Sequence, residues 1–258
     1  MSGRESAETL LEAVTEVARW AGDMALAHFR DGLAVELKGD GSPVTVADRA
    51  AERAAREWIN HRFPDDGILG EEYGAERPDA RRRWILDPID GTKSFIHGVP
   101  LWGTLIAVAE GDDVLAGAIN CAAAGELVAA ARGAGCWWNG TRCSVSTVSE
   151  LGAATVLTTD ERFPHAPERQ GAWAALAARA GMSRSWGDCF GYLLVATGRA
   201  ESMMDPQMAA WDSAALQPVI EEAGGVFTDW DGATTAFGGS AVATNAVLAE
   251  EIRRVLRR

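Results

Sequence analysis

Two aspartates three residues apart, Asp87 and Asp90, stand in the segment of the sequence best suited to chemistry. An apolar run predicts a strand leading into Asp87, and Pro88 cannot donate a ladder hydrogen bond, so we expect strand pairing to stop there. Two carboxylates at a strand end can share hard cations, which prefer oxygen ligands. Gly91 permits close backbone approach to a ligand, and a helix beginning at Thr92 would point its amide at an anion. A strand followed by an Asx turn explains the same residues, so the segment alone leaves both interpretations open.

A second acidic pair, Glu71 and Glu72, follows Gly70. Adjacent residues on a strand face opposite sides, so only one of the two glutamates can contribute to a site shared with the aspartates. A solvated acidic loop is the competing interpretation of this segment.

Two further aspartates occur in patterns typical of helix caps. Thr45 and Asp48 have the spacing of a capping box, with Asp in place of the usual Glu or Gln. Asp212 stands at the start of a predicted helix, where Asp is a common N-cap. Each carboxylate is also a candidate metal ligand, so both interpretations stay open for both residues.

The elements that must position these residues mix helices and strands without strict alternation. Apolar spacing predicts helices over 7–29, from Val46 onward, and over 173–180, 190–198, 213–223 and the C-terminal segment. Strands are expected over 34–38, 67–70, 83–87, 103–109, 114–120, 126–132, 154–158, 226–229 and 240–244, with a loop over 39–43 and a hairpin at Trp137-Trp138. No linker-like segment divides the chain. The pattern therefore favours a single domain, 1–258, of layered α+β type rather than a barrel.

Composition argues against several classes of function. The chain has 258 residues and a formal net charge of −13, whereas non-specific nucleic-acid binding needs clustered basic residues. There is no apolar run of about 18 residues and no signal-like N-terminus, so we expect a cytoplasmic protein without membrane contact. The four cysteines lack CxxC spacing and no HExxH occurs, which disfavours a zinc centre. If carboxylates hold divalent cations, the acidic charge is compatible with an anionic substrate.

Taken in order, four segments resemble the inositol monophosphatase family, and the resemblance extends over nearly the whole chain. They are Lys38…Thr45-x-x-Asp48, Gly70-Glu71-Glu72, Asp87-Pro88-Ile89-Asp90-Gly91-Thr92 and Trp211-Asp212. The resemblance implies a layered αβαβα sandwich and a magnesium-dependent phosphatase that acts on a small-molecule phosphate monoester. It also implies two or three Mg²⁺ per active site and, because family members are commonly dimers, a homodimer.

The same resemblance implies a role for each matching residue. The magnesium ligands would be Glu71, Asp87, Asp90, Asp212 and the carbonyl of Ile89, joined through water or a further metal by Asp48. The phosphate would be bound by Asp90, Gly91 and Thr92. The catalytic set would be Glu71, Thr92 and Asp48, with Glu71 and Thr92 positioning a metal-activated water for direct attack on phosphorus.

Further stretches look like the histidinol-phosphate phosphatase members of this family. They are 42–45, 90–95, 187–192, 205–207 and 216–225. Within them, Asp188 and Asp205 offer carboxylates that could bind the charged groups of the substrate. Relatives usually carry Glu where this chain has Asp205, which is one methylene shorter and so has less reach in a polar pocket. An N-cap at Asp188 and a surface loop at Asp205 are the competing interpretations.

The leading hypothesis is therefore hydrolysis of histidinol phosphate to histidinol and phosphate, a step of histidine biosynthesis. An inositol monophosphatase or a broad sugar-phosphate phosphatase is the nearest alternative. A non-catalytic metal- or phosphate-binding interaction protein is an alternative of another class, and the complete set of acidic residues counts against it.

Overall fold

The computed structural model describes residues 5–31, 35–37 and 43–257. The strand predicted over 34–38 is described only at 35–37, and Lys38 and the loop residues 39–42 lie outside the described residues. No described helix is both long and apolar enough to cross a membrane.

Eight α-helices and fifteen strands form within the described residues. The helices are α1 (Ala7–Leu26), α2 (Val46–Arg62), α3 (Thr92–Ile96), α4 (Pro167–Ala177), α5 (Asp188–Ala196), α6 (Ala210–Ser213), α7 (Leu216–Glu222) and α8 (Ala249–Leu256). The strands are β1 (Glu36–Leu37), β2 (Pro43–Val44), β3 (Gly67–Gly70), β4 (Gly74–Glu76), β5 (Arg82–Asp90), β6 (Gly103–Glu110), β7 (Asp113–Cys121), β8 (Glu126–Ala131), β9 (Gly135–Trp138), β10 (Thr141–Arg142), β11 (Thr155–Leu157), β12 (Met182–Arg184), β13 (Ser202–Asp205), β14 (Val226–Thr228) and β15 (Ala241–Thr244).

Two sheets carry most of the strands. The larger has eight strands in the order β10-β9-β8-β7-β6-β5-β3-β4, and only its β3–β5 pair is parallel among the described residues. The smaller has five strands in the order β12-β11-β13-β15-β14, with β11 parallel to both of its neighbours. Each sheet therefore contains neighbouring parallel strands that end at the same edge.

Three apolar cores separate the layers. The first lies between helices α1 and α2 and one face of the eight-stranded sheet. The second fills the space between the two sheets and includes α5 and α7. The third packs α4 and α8 on the outer face of the five-stranded sheet. This succession of helix, sheet, helix, sheet and helix confirms the predicted αβαβα sandwich.

Strand β5 continues past Pro88, so the expectation that pairing stops there is wrong in part. Regular pairing with β6 runs to Asp87 opposite Leu105, shifts register, and resumes at Asp90 opposite Gly103. The interruption is a β-bulge, which re-aims the side chains around it. Pro88, which has no N–H to donate, therefore lies within a local shift in register and does not end the strand.

The segment predicted as one helix over 213–223 forms two. Helix α6 ends at Ser213 and α7 begins at Leu216. Asp212 is the third residue of α6, and Ala209 is the N-cap of that helix, so the expectation that Asp212 is the N-cap is wrong by three residues. The predicted hairpin at Trp137-Trp138 is present as β9 and β10, which are joined by Asn139 and Gly140, both with positive φ as a type I′ turn requires.

Candidate active site

The cleft forms where parallel strands of the two sheets end. In the eight-stranded sheet, Glu71 follows β3 and Asp90 ends its neighbour β5. In the five-stranded sheet, Thr159 follows β11 by two residues and Asp205 ends its neighbour β13. Because both sheets present these ends to one cleft, residues far apart in the sequence become neighbours.

An acidic cluster consisting of Asp87, Asp90 and Asp212 lies on the side of the larger sheet. Each residue offers a carboxylate oxygen, and these oxygens all lie within 4.8 Å of one another. On β5 the side chain of Ile85 belongs to the core between the sheets, and alternation places Asp87 on the same face, toward α6. The backbone N–H of Ala209 donates to Asp212 at 2.7 Å and fixes that carboxylate in the cluster.

Burial and neighbouring negative charges raise the pKa of every member of the cluster. The pKa of Asp87 lies well above its usual value because the carboxyl is buried and faces the charges of Glu71, Asp90 and Asp212. Burial and the charge of Asp188 raise the pKa of Asp90 in the same way. Burial also raises the pKa of Asp212 to about 6, although the hydrogen bond from Ala209 opposes the shift.

Glu71 and Asp48 stand beside the cluster. The charge of Glu71 raises the pKa of Asp48, Asp87 and Asp212, which places its carboxylate close to all three. The charge of Glu72 acts instead on Arg49. Asp48 completes the predicted capping box, because one of its oxygens accepts from the N–H and the hydroxyl of Thr45 at 2.8 and 2.7 Å. Asp48 is therefore a helix cap that also lies within electrostatic reach of the site.

The turn after β5 contains the remaining predicted residues of this side. Gly91 has φ of 85° and is the N-cap of α3, which Thr92 begins, as expected. A Cβ at Gly91 would lie 3.0 Å from both the Asp188 carboxylate and the Leu101 carbonyl, so only glycine fits without displacement. The Thr92 hydroxyl donates to the Ile89 carbonyl at 3.0 Å, which leaves the second lone pair of that oxygen for another partner.

The cluster has the chemistry of a site for a hard divalent cation. All of its side-chain donors are carboxylates, which suit Mg²⁺. The Oδ1 atom of Asp87 is buried and has no hydrogen-bond partner among the described residues. Buried polar atoms normally have a partner, and a cation shared by these carboxylates would supply one while offsetting their repulsion. The residues present therefore fit the metal.

A side pocket adjoins the cluster on the side of the smaller sheet. It is lined by Asp90, Lys93, Thr159, Asp160, Phe163, Pro164, His165, Asp188, Asp205, Pro206, Gln207, Met208 and Asp212. Asp205 is 7% exposed, and its two oxygens accept from the Thr159 N–H and the Tyr192 hydroxyl, each at 3.1 Å. Burial raises the pKa of Asp205, and these two hydrogen bonds oppose the shift. Asp205 ends a buried strand, so the surface-loop interpretation is wrong.

Asp188 lies between the side pocket and the cluster. It is the first residue of α5 and Gly187 is the N-cap, so the N-cap interpretation of Asp188 is wrong. Its own N–H donates to the Thr159 hydroxyl at 2.8 Å. Burial and the charge of Asp205 raise the pKa of Asp188 to about 7.

Several residues of the cleft were not singled out from the sequence. Thr159 and Tyr192 hold Asp205, and the N–H of Cys189 donates to Asp90 at 2.5 Å. Tyr192 and Cys189 lie in a stretch whose resemblance was noted, which is the only signal that could have found them. Thr159 has no such signal, because its role depends on the pairing of β11 with β13.

Comparison with known proteins agrees with the geometry. The family model described as "Inositol monophosphatase family" matches residues 6–258. The chain is 44% identical to a histidinol-phosphatase of Chlorobaculum parvum, over 92% of this chain and 93% of that protein. It is 40% identical to a histidinol-phosphatase of Mycobacterium tuberculosis, over 85% of this chain and 86% of that protein. Among solved structures, an inositol monophosphatase from Zymomonas mobilis superposes with a TM-score of 0.88 at 32% identity, over 99% of this chain and 100% of that one.

Proposed function

The chain belongs to the inositol monophosphatase family, and from this premise we propose that it is a magnesium-dependent histidinol-phosphatase. The reaction would convert histidinol phosphate and water to histidinol and phosphate. The two histidinol-phosphatases that are 44% and 40% identical to it over most of their lengths support this substrate. A homodimer in the cytoplasm, as expected from the sequence, remains part of the proposal.

The observation that carries the choice of substrate is the acidity of the side pocket. Asp188 and Asp205 face a cavity that adjoins the acidic cluster, and Asp160 lines it as well. Histidinol carries an amine and an imidazole, both of which can be cationic, whereas inositol carries neutral hydroxyl groups. Carboxylates that face a pocket attract a cationic group by charge and therefore favour a cation over a neutral polyol.

Magnesium would be held by the acidic cluster and its neighbours. The proposed ligands of the two or three ions are Asp87, Asp90, Asp212, Glu71 and the carbonyl of Ile89. Bound there, Mg²⁺ would neutralise the charge of the phosphate and make a water molecule more acidic.

The protein's own residues would orient the reaction around that site. Gly91 is the N-cap of α3 and Thr92 is its first residue, so their backbone N–H groups are available to the phosphate oxygens. The Thr92 hydroxyl is anchored on Ile89, where it can position the attacking water, and the Glu71 carboxylate can accept a proton from that water. Asp48 lies beside Glu71, whose charge raises the pKa of Asp48, and it would join the metal site through water or a further ion.

The direct test is phosphate release with Mg²⁺ from histidinol phosphate, inositol monophosphate and fructose bisphosphate, compared by kcat/KM. We expect a preference for histidinol phosphate of at least about a hundredfold, or about 2.7 kcal/mol in transition-state binding. Equal rates, or a preference for inositol monophosphate, would assign the protein to the broader phosphatases of the family. No turnover of any of the three would favour a binding protein.

Replacing one carboxylate of the side pocket tests the role of its charge. Asp205→Asn keeps the size and the acceptor for the Thr159 N–H, but it removes the charge. We expect kcat/KM to fall about a hundredfold for histidinol phosphate and less than about threefold for inositol monophosphate, because a charged hydrogen bond contributes about 1.5–3 kcal/mol. The exposed Asp112→Asn serves as the matched control and should leave both values unchanged. Equal losses for the two substrates would contradict the assignment.

A further inference from the structure

Thr159 connects the two carboxylates of the side pocket, and we propose that it is a positioning residue that sets their spacing for a cationic substrate. The inference rests on the proposed function, since it concerns how that substrate is recognised. Thr159 lines the same pocket as Asp188 and Asp205.

One residue supplies a different group to each aspartate. The backbone N–H of Thr159 donates to Asp205 at 3.1 Å. The hydroxyl of Thr159 accepts from the backbone N–H of Asp188 at 2.8 Å. Asp188 belongs to α5 and Asp205 to β13, so these two bonds fix a helix start and a strand end against the end of β11.

The start of α5 needs this support because its backbone conformation is unfavourable. Asp188 has φ of 52°, a left-handed conformation that few non-glycine residues adopt and that persists when neighbouring contacts hold it. The first N–H groups of a helix have no partner inside the helix, and the Thr159 hydroxyl provides one from another element. The backbone is also in close contact here, since a Cβ at Gly187 would lie 2.6 Å from the Cα of Thr159.

Asp188 lies close both to the proposed phosphate site and to the side pocket. Its carboxylate lies close to Gly91, at the turn where we propose that phosphate binds. A shift of the α5 start would therefore change the distance between the phosphate and the cationic end of the substrate. The hydrogen bonds of Thr159 run to the Asp205 carboxylate and to the backbone N–H of Asp188, so the loss of Thr159 should weaken substrate binding more than the chemical step.

Thr159→Val tests the role by replacing the hydroxyl with a methyl group and leaving the backbone N–H in place. We expect KM for histidinol phosphate to rise about tenfold and kcat to stay within about twofold, because the Asp188 N–H loses its acceptor and the left-handed start of α5 loses a contact that holds it. KM for inositol monophosphate should change less than about threefold. Thr159→Ser restores the hydroxyl and should restore KM, and Thr159→Ala repeats the test without a branched side chain if the valine variant does not fold.

Thr158→Val is the matched control. It makes the same chemical change one residue earlier, where the hydroxyl is buried and has no hydrogen-bond partner among the described residues. It should leave KM and kcat for both substrates at their wild-type values, whereas a purely structural effect of removing a threonine hydroxyl would appear in both variants.

A double-mutant cycle identifies the residue through which Thr159 acts. In an Asp188→Ala background, adding Thr159→Val should have little further effect on KM, because the carboxylate that Thr159 positions is already absent. An unchanged KM in Thr159→Val, equal losses for the two substrates, failure of serine to restore KM, or full additivity with Asp188→Ala would each overturn the proposal. Failure of the proposed function is distinguishable, since it would appear in the wild-type enzyme as a preference for inositol monophosphate.

Discussion

The acidic cluster and the side pocket both form where neighbouring parallel strands of a sheet end. They differ in the hydrogen bonds that their carboxylates accept from the protein. In each sheet, a pair of parallel strands brings polar residues to one edge. In the side pocket, both oxygens of Asp205 accept hydrogen bonds from the protein. In the cluster, Asp87 keeps a buried oxygen without a partner among the described residues, and its closest neighbours carry the same charge.

This difference indicates what each half requires from outside the protein. The carboxylates of the cluster repel one another. A bound cation would be attracted to each of them and would offset that repulsion. The side pocket is pre-organised, because Asp205 is oriented before any ligand arrives. Variants that disturb the cluster should therefore affect the reaction as a whole, and variants that disturb the pocket should affect the choice of substrate.

Asp90→Asn should give the largest effect. Asparagine keeps the shape and can still accept from the Cys189 N–H, but the cluster loses one negative charge. We expect kcat/KM to fall about a thousandfold on every phosphate monoester, equivalent to about 4 kcal/mol, because a metal site contributes several kcal/mol. Phosphate release at limiting Mg²⁺ measures this loss.

The substrate range of this variant distinguishes the two halves of the cleft. Asp90→Asn should reduce activity on histidinol phosphate and inositol monophosphate to the same extent, unlike Asp205→Asn. The exposed Asp112→Asn should behave as wild type. Wild-type activity of Asp90→Asn at limiting Mg²⁺ would show that Asp90 is not a ligand.

Gly91→Ala should have an intermediate effect, because Gly91 lies where the two halves meet. Its φ of 85° disfavours alanine, and the added Cβ would be 3.0 Å from the Asp188 carboxylate and the Leu101 carbonyl. We expect kcat/KM to fall about tenfold and Tm to fall by about 5 °C, since about 2 kcal/mol corresponds to that shift in a chain of this size.

Gly111→Ala separates crowding from backbone strain. Gly111 also has positive φ, at 61°, but a Cβ there would meet no described atom within 4 Å. Gly111→Ala should lower Tm by about half as much as Gly91→Ala does and should leave kcat/KM unchanged. If the two alanine variants were equally active, the contact between Gly91 and Asp188 would have no role in the reaction.

The sequence was most informative for the part of the acidic cluster that lies in one short segment of the chain. Asp87, Asp90 and Thr92 are adjacent along one strand and turn, so their segment could be recognised before the fold was known. The bulge at Pro88 could not be predicted, because it depends on the register with β6. The break between α6 and α7 is similarly set by packing against both sheets, and local apolar spacing continues through it.

The side pocket was harder to predict because its contacts join distant segments. Asp205 and Thr159 are 46 residues apart and meet only because β11 and β13 pair in parallel. Neither the burial of Asp205 nor the role of the Thr159 backbone N–H leaves a pattern in a single sequence. Resemblance identified Asp188 and Asp205 as candidates, whereas their hydrogen-bond partners required the structure.

The smallest expected effect is a change in thermal stability with pH. It tests the raised pKa values of the carboxylates in the acidic cluster and the side pocket. Burial raises the pKa of Asp212 to about 6 and that of Asp188 to about 7, from an ordinary value of 3.8. In the metal-free protein these groups stay protonated in the folded state at pH values where the unfolded chain has already released the protons. Their contribution to stability is therefore fully present below about pH 4 and is lost as pH rises through about 6 to 7.

Magnesium should reverse that loss, because it binds the deprotonated cluster and competes with protons. We expect the difference in Tm between Mg²⁺ and EDTA to be close to zero near about pH 5 and to reach about 5 °C near about pH 8. Scanning calorimetry of the wild type and of Asp112→Asn should give the same curve, and Asp90→Asn should flatten it. A Tm difference that stayed constant across this range would mean that the buried carboxylates are not where the metal binds, since only groups whose protons the cation displaces can make its stabilisation depend on pH.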